Sequence, residues 1–355
     1  MSIADPTARA WVDVDLAALV ANARTVAARS GSRLLPMVKA NAYGLGAVPV
    51  AKALEQVDPW GYGVATLEEG EELRRAGITR PILVFTPLQS GQTQGFLSAS
   101  LRPVIADPPA LWEWISATRE PFHLEIDTGM SRSGVRWQDA EALAAVAAAL
   151  VSAPGWEGIF THFHTADDRA ATAEQWKRFE QVLSGLPRRP SLVHASSSGT
   201  ALLDRAYSSD LVRPGIFLYG GRAGGEAPRV VAKVRARVIA LRTVKPGDTV
   251  SYGATWTASA PTRIATVAMG YADGVPRSLS NKGKLEIKGR LAPVVGRVAM
   301  DMVMAAVDES VTQGDVATFF GGLISLDAQA ELAGTVSYEL LTSIGSRVVR
   351  RYGSE

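Results

Sequence analysis

Eight short apolar runs, each followed by a segment of helical periodicity, constrain this chain more than any other feature it has. The runs fall at 33–38, 61–65, 81–85, 101–105, 122–126, 158–161, 191–194 and 211–213. Between them VPVAKALEQV, TLEEGEELRRAG, PALWEWISA, DAEALAAVAAAL and AEQWKRFEQVL carry apolar residues at helical spacing. Thr66 and Glu69 make a capping-box pattern, and Gly77 closes the helix that it opens. Eight strand-helix units imply an α/β fold, an N-terminal (β/α)8 TIM-type barrel, with an open doubly wound sheet as the alternative.

Beyond residue 230 the texture changes. VVAKVRARVIALRTV, RIATVAMGY, LAPVVGRVAMDMVMAAV and DVATFFG alternate or run apolar with β-branched residues, punctuated by Pro-Gly and Lys-Gly turns. The expectation is a barrel over 10–228 and a second, mostly antiparallel β domain over 229–355. One late helix is expected, at 325–333 or 337–342, and the alternating ARAWVDVD near the N-terminus reads as a strand of this second domain. A net charge of +2 without basic blocks offers nothing to nucleic acid, and the absence of cysteine excludes disulfides and thiolate metal sites. No metal is expected. With no apolar run long enough to span a bilayer and no signal-peptide pattern, a cytoplasmic protein without membrane contact is expected.

Active sites of such barrels form at the C-terminal strand ends. Lys39 ends the first strand in LLPMVKANAYGLG, Arg132 follows the fifth in EIDTGMSRSG and His162 ends the sixth in IFTHFH. Ser198 follows the seventh in VHASSSG, and Arg213 ends the eighth in LVRPGI. A rim lysine taken alone is a solvated cation whose stem packs on the barrel. Its company changes the reading, because backbone N–H groups at Gly215 and Ile216, with the hydroxyls of Ser198 and Tyr43, could cradle a phosphate. A phosphate site opposite a strand-end lysine fits pyridoxal 5'-phosphate held as a Schiff base, and burial would depress the lysine pKa as that chemistry needs. An arginine facing the pyridine nitrogen would keep its own proton, leaving a weaker electron sink suited to returning a proton to the α-carbon. In the second domain, Tyr271 lies in AMGYADGVPRS, and Met300 and Asp301 lie in VGRVAMDMV, where Asp301 is expensive to bury alone and is expected to be hydrogen-bonded at a strand end.

Together MVKANAYGLG, DTGMSRSG, THFHTAD, RPGIFLYG, GYADG and GRVAMD, in this order, resemble the signatures of the alanine racemase family over nearly the whole chain. The resemblance implies a pyridoxal phosphate-dependent amino-acid racemase, a homodimer with shared active sites, and interconversion of L- and D-alanine for cell-wall peptidoglycan by two bases acting on the cofactor-bound substrate. By motif position Lys39 would carry the cofactor and act as one base, and Tyr271 of the partner subunit would be the other. Tyr43, Ser198, Gly215 and Ile216 would hold the phosphate, Arg213 would meet the pyridine nitrogen, and His162 would couple it to Tyr271. Arg132 and the N–H of the partner's Met300 would take the substrate carboxylate, with Glu125 and Asp301 in support.

The chain departs from the family pattern in three places. Glu125 stands where members often carry a carbamylated lysine, so its carboxylate is expected to pair with Arg132 directly. Ser197 replaces an amide, and Ser346 stands where some members place a tyrosine against the phosphate. His164 in THFHTAD is expected to line the entrance. Of the other readings, a decarboxylase of basic amino acids would call for a carboxylate at the pyridine nitrogen in place of Arg213. A non-catalytic cofactor carrier would have no use for the second domain.

Overall fold

The computed structural model describes residues 8–353. Strand β1 (Ala10–Asp15) comes first, and the eight strand-helix units follow. Their strands begin with β2 (Arg33–Leu34), β3 (Tyr62–Val64), β4 (Ile82–Val84), β5 (Arg102–Ile105) and β6 (Phe122–Asp127). After β7 (Val135–Arg136), a short addition beside β6, come β8 (Trp156–Phe160), β9 (Leu192–Ser197) and β10 (Leu211–Arg213). The sheet is parallel throughout, in the order β2-β10-β9-β8-β6-β5-β4-β3. Its two ends join beyond Pro36, which has no N–H for a regular ladder: Met37 bridges Gly63, and the Val38 N–H donates to the Gly63 carbonyl at 2.8 Å. The ring is therefore closed, and the open-sheet alternative falls.

Closure divides the apolar residues into two layers, because successive strand side chains face opposite sides. Leu35, Leu83, Val104, Phe160, Leu192 and Leu211 fill the barrel interior. Leu34, Val64, Ile82, Leu124 and Ile159 face outward and pack beneath helix residues such as Leu19, Leu73 and Phe179. Short acidic caps start several of these helices: Asp15 accepts from the Ala18 N–H and Asp107 from the Ala110 N–H, each at 2.8 Å.

The second unit contains β11 (Ala232–Val244), β12 (Thr262–Val267), β13 (Lys284–Ile287), β14 (Arg290–Pro293), β15 (Val303–Val307), β16 (Val316–Phe320) and β17 (Val349–Gly353). With β1 they form a mostly antiparallel sheet in the order β14-β13-β16-β11-β1-β17, and β12 and β15 continue from β11. β1 pairs antiparallel with β11 and parallel with β17, so the ARAWVDVD segment does belong to this sheet. Two late helices form where one was expected, Leu326–Ala333 and Ser337–Thr342. Gly334, at φ 72°, ends the first in the left-handed conformation, and the chain restarts three residues later.

Candidate active site

A cavity of about 630 Å³ opens at the C-terminal ends of the barrel strands. Lys39, Tyr43, Arg132, His162, Ser198, Arg213, Gly215 and Ile216 all line it, which gathers every barrel candidate except Glu125 at one mouth. Burial lowers the Lys39 pKa, the nearby Arg132 and Arg213 lower it further, and Glu69 opposes them.

The backbone after Lys39 is unusual. Ala40, Asn41, Ala42 and Tyr43 all have φ between 52° and 54°, a full turn of left-handed helix built without glycine. Such residues cost roughly 1–2 kcal/mol each, so the surroundings must hold the turn. They do so with specific acceptors. Glu69 accepts from the Ala40 N–H at 2.6 Å and from the Ala65 N–H at 2.7 Å, and the Asn41 side chain accepts from the Ala47 N–H at 2.8 Å. Glu69 is thus only half a capping box: its backbone N–H reaches the Thr66 hydroxyl, while its carboxylate serves the lysine loop.

Tyr43 ends this turn with its ring stacked on Tyr219 at 4.5 Å, and the Tyr219 hydroxyl donates to the Met37 carbonyl. The Tyr43 hydroxyl has no hydrogen-bond partner among the described residues. It lies so close to Gly215 that a Cβ there would come within 2.3 Å of it. The Gly215 N–H donates to the Ser198 Oγ at 2.8 Å, which leaves the Ser198 hydroxyl proton free to donate elsewhere. Instead of a helix start, residues after Arg213 form a tight turn in which the Leu218 N–H donates to the Gly215 carbonyl. Ser197 also lines the cavity. Ser346 and His164 stand exposed outside it, whereas Tyr338 and Thr342 lie on its wall. Sequence reading missed Tyr338, whose ring sits 5.9 Å from that of Tyr43.

Arg213 is buried. Its Nη2 donates to the carbonyls of Thr161 and Ala195 and to His162 Nδ1, at 2.9, 2.8 and 3.0 Å. Its Nη1 reaches His194 Nδ1 at 2.8 Å. Burial lowers Arg213 to about 9, below the value a free guanidinium suggests but high enough to keep the charge at neutral pH. Burial, followed by the charges of Arg213, Arg132 and Lys39, lowers His162 to about 3 and leaves its ring neutral. Among the described residues the Arg213 Nε–H has no acceptor, and Arg213 lines the cavity.

Glu125 does not pair with Arg132. Its carboxylate accepts from the Ser133 hydroxyl at 2.8 Å, and Arg132 affects it only through space, alongside burial, which raises its pKa. Asp301 has the strand-end partner expected of it. It is half-exposed and paired with Arg347 at 2.9 Å, because it precedes β15 instead of lying inside it. The fully buried acid nearby is Asp273, bound by Arg9 at 2.6 Å and Arg347 at 3.1 Å and accepting from the Gly270 N–H at 3.0 Å. It stabilises the turn that carries Tyr271. The Tyr271 N–H donates to the Ala299 carbonyl and the Ala272 N–H to the Met300 carbonyl, both at 3.0 Å. Tyr271 and Met300 therefore sit side by side, 44% and 52% exposed, and neither lines the cavity of its own chain.

The unpaired Tyr43 hydroxyl, the free Ser198 proton and the glycine that makes room for them suit a phosphate, and the half-buried lysine beside them suits a carbonyl. These features define the barrel mouth as an enzyme site for a phosphate-bearing carbonyl cofactor. Among the described residues no acidic or histidine cluster is arranged to hold a metal ion, and no helix is long and apolar enough to cross a membrane.

Comparisons with known proteins carry this further. The models for the alanine racemase N-terminal and C-terminal domains match residues 14–223 and 231–352. An alanine racemase of Deinococcus radiodurans is 41% identical over 358 residues, covering 97% of this chain and 99% of that one. The alanine racemase of Streptomyces coelicolor superposes with a TM-score of 0.92 at 32% identity, covering 99% of this chain and all of the other. The crystal structure of alanine racemase from Bartonella henselae with covalently bound pyridoxal phosphate gives a TM-score of 0.91 at 30% identity, covering 98% of this chain and all of that one. The chain belongs to the alanine racemase family, whose members are pyridoxal phosphate-dependent amino-acid isomerases.

Proposed function

We propose that this chain interconverts L- and D-alanine as a homodimer, with pyridoxal 5'-phosphate bound at the barrel mouth, and that it supplies D-alanine for peptidoglycan from the cytoplasm. The observation that carries the reading is that Lys39, Arg213 and the Tyr43–Ser198–Gly215 cradle line one cavity. In this reading the barrel unit, 10–228, holds the cofactor, and the unit over 229–355 presents Tyr271 and Met300 to the other subunit. When bound, pyridoxal phosphate supplies a conjugated ring that withdraws electrons from the amino acid's α-carbon.

Inverting a stereocentre requires removing a proton from one face and delivering one to the other, and a single rigid group cannot reach both. Lys39, whose pKa burial lowers so that more of its amine is unprotonated, works on one face. Tyr271 of the partner subunit works on the other, where the neutral His162 ring held by Arg213 can donate to its phenolate. Tyr43, Ser198, Gly215 and Ile216 hold the phosphate. Arg132 and the backbone N–H of the partner's Met300 bind the substrate carboxylate, with Asp301 and its Arg347 partner bracing the Met300 loop. Arg213 keeps its proton, so it would donate to the pyridine nitrogen without protonating it, and the cofactor held there would supply a weaker electron sink. This favours racemisation over transamination or decarboxylation.

Incubation with L-alanine in deuterated buffer tests the reading, following optical rotation and α-proton exchange together. Racemisation with exchange supports it; exchange with retained configuration would leave one working base and refute the two-base assignment. Mixing inactive Lys39→Ala and Tyr271→Phe chains should restore part of the activity, because one site of each heterodimer is then intact. No recovery at all would place both residues in the same chain's site.

A further inference from the structure

Behind Arg213 a line of polar side chains runs through the apolar barrel interior to the opposite end of the barrel. Arg213 Nη1 meets His194 Nδ1 at 2.8 Å, His194 Nε2 meets His123 Nδ1 at 2.9 Å, and His123 Nε2 meets Glu157 Oε2 at 3.2 Å. Arg102 closes the far end, its Nε donating to Glu157 Oε2 at 2.6 Å and its Nη2 to Oε1 at 3.2 Å. Both histidines are fully buried. His194 stacks on Phe160 of the inner core at 4.8 Å, and Trp60 packs on both His123 and Arg102. The barrel is shaped to admit this line: a Cβ at Gly158 would come within 2.4 Å of His123 Nδ1.

The donor rules fix one direction for every proton. A guanidinium can only donate, so His194 Nδ1 must accept, and the neutral ring then carries its proton on Nε2. From the other end, an ionised carboxylate can only accept, so His123 must present Nε2–H to Glu157 and keep a lone pair on Nδ1 for His194. The two ends reach the same assignment independently. Burial disfavours the charged form of either imidazole. Burial also works to raise Glu157, but the hydrogen bonds from His123 and Arg102 outweigh it and hold the carboxyl at about 2.

We infer that His194, His123 and Glu157 are positioning residues, a one-way hydrogen-bond chain that anchors the Arg213 guanidinium from behind and sets how it faces the cofactor ring. The consequence at the ring rests on the function proposed above; the chain itself does not. No proton is transferred along it. Its work is to hold the guanidinium in one orientation at the cavity that Arg213 lines.

The protein has four histidines, so nitrogen spectra of the histidine-labelled dimer can read each ring. The expected wild-type result is three neutral rings protonated on Nε2 that do not titrate near neutrality, from His123, His162 and His194. A proton on Nδ1 of His123 or His194, or a charged form of either at pH 7, would overturn the chain. Glu157→Gln replaces the acceptor with a group that can also donate, so His123 and His194 should show mixed tautomers. His162, which reports the guanidinium through Nδ1, should shift even without cofactor. In the loaded enzyme the cofactor absorbance should move, and kcat should fall roughly ten- to a hundredfold at unchanged KM. Gly158→Ala, which keeps every charge but crowds His123, should reproduce the spectral changes if Glu157→Gln does not fold. Altered His123 and His194 signals with an unmoved His162 and cofactor spectrum would refute the anchoring role and leave the racemase reading intact. A dimer that bound no cofactor would refute that reading while the histidine spectra still decided the chain.

Discussion

Replacing Glu69 with alanine removes the carboxylate that two backbone N–H groups share, one of them Ala40 beside the lysine. Hydrogen bonds to a charged acceptor contribute about 1.5–3 kcal/mol each, and at this partly exposed position the lower end gives roughly 3 kcal/mol for the pair. An unfolding entropy of about 2.1 cal/mol/K per residue over 355 residues converts this to a Tm lower by about 4 °C. The loss falls on a turn already under strain, so Lys39 should lose its fixed direction and cofactor uptake, followed by absorbance, should weaken along with Tm. Glu69 also raises the Lys39 pKa, and its removal lets that pKa fall further. Glutamine separates the two effects, because it removes the charge as alanine does but keeps one acceptor. If geometry governs, Glu69→Gln falls midway between wild type and Glu69→Ala; if charge governs, the two variants coincide. The reasoning is refuted if Glu69→Ala matches wild type in calorimetry and cofactor titration, or if Glu68→Ala, at the exposed neighbouring position, loses as much.

Other perturbations probe other parts of the site. Gly215→Ala should cost roughly 1–3 kcal/mol of overpacking against the Tyr43 hydroxyl. It should therefore weaken cofactor binding about five- to a hundredfold in an absorbance titration, and Tyr43→Phe in the same chain should recover part of the loss. Asp273→Ala removes the buried carboxylate that Arg9, Arg347 and the Gly270 N–H share, and should lower the urea midpoint more than Asp301→Ala does. Asp301→Ala removes only a half-exposed pair and should cost no more than about 1 kcal/mol. Acid should unfold the protein early. Below the unfolded histidine pKa, near ~6.5, the unfolded chain takes up protons that the buried His123 and His194 refuse, so stability falls with pH at up to about 2.8 kcal/mol per unit. Glu157, held at about 2, adds a contribution that is present above the ordinary carboxylate range and lost as pH falls toward 2. Urea midpoints that stay flat between pH 7 and 5 would contradict the neutral buried pair.

Where a side chain's fate is settled within its own element, the sequence predicts it well. Eight strands and the residues at their ends are legible because periodicity and chain direction are local, and closure then brings those ends together without further information. Glu69 shows the limit. Its pattern with Thr66 is a true helix start, but its carboxylate is claimed by Ala40, which lies on a different loop. Glu125 and Arg132 have complementary charges, but Gly134, at φ 102°, folds the chain back against Glu125 and offers it the hydroxyl of Ser133 first. Asp301 is legible, because a lone acid among apolar letters has to find a strand end and a partner: it precedes β15 and pairs with Arg347.

His123 and His194 mark the sharper boundary. Each stands between apolar neighbours in its strand, Phe122 and Leu124 or Val193 and Ala195, where the cheapest reading is a single polar residue turned outward. What makes them a line is that strands β6, β8, β9 and β10 are neighbours in the closed sheet, so inward positions 71, 34 and 19 residues apart in the chain meet around one axis. A buried imidazole without partners on both nitrogens would be costly. Two such rings in series satisfy one another only if an arginine that must donate stands at one end and a carboxylate that must accept stands at the other. That arrangement leaves no periodicity and no local spacing to read, and it exists only once the ring of strands has closed.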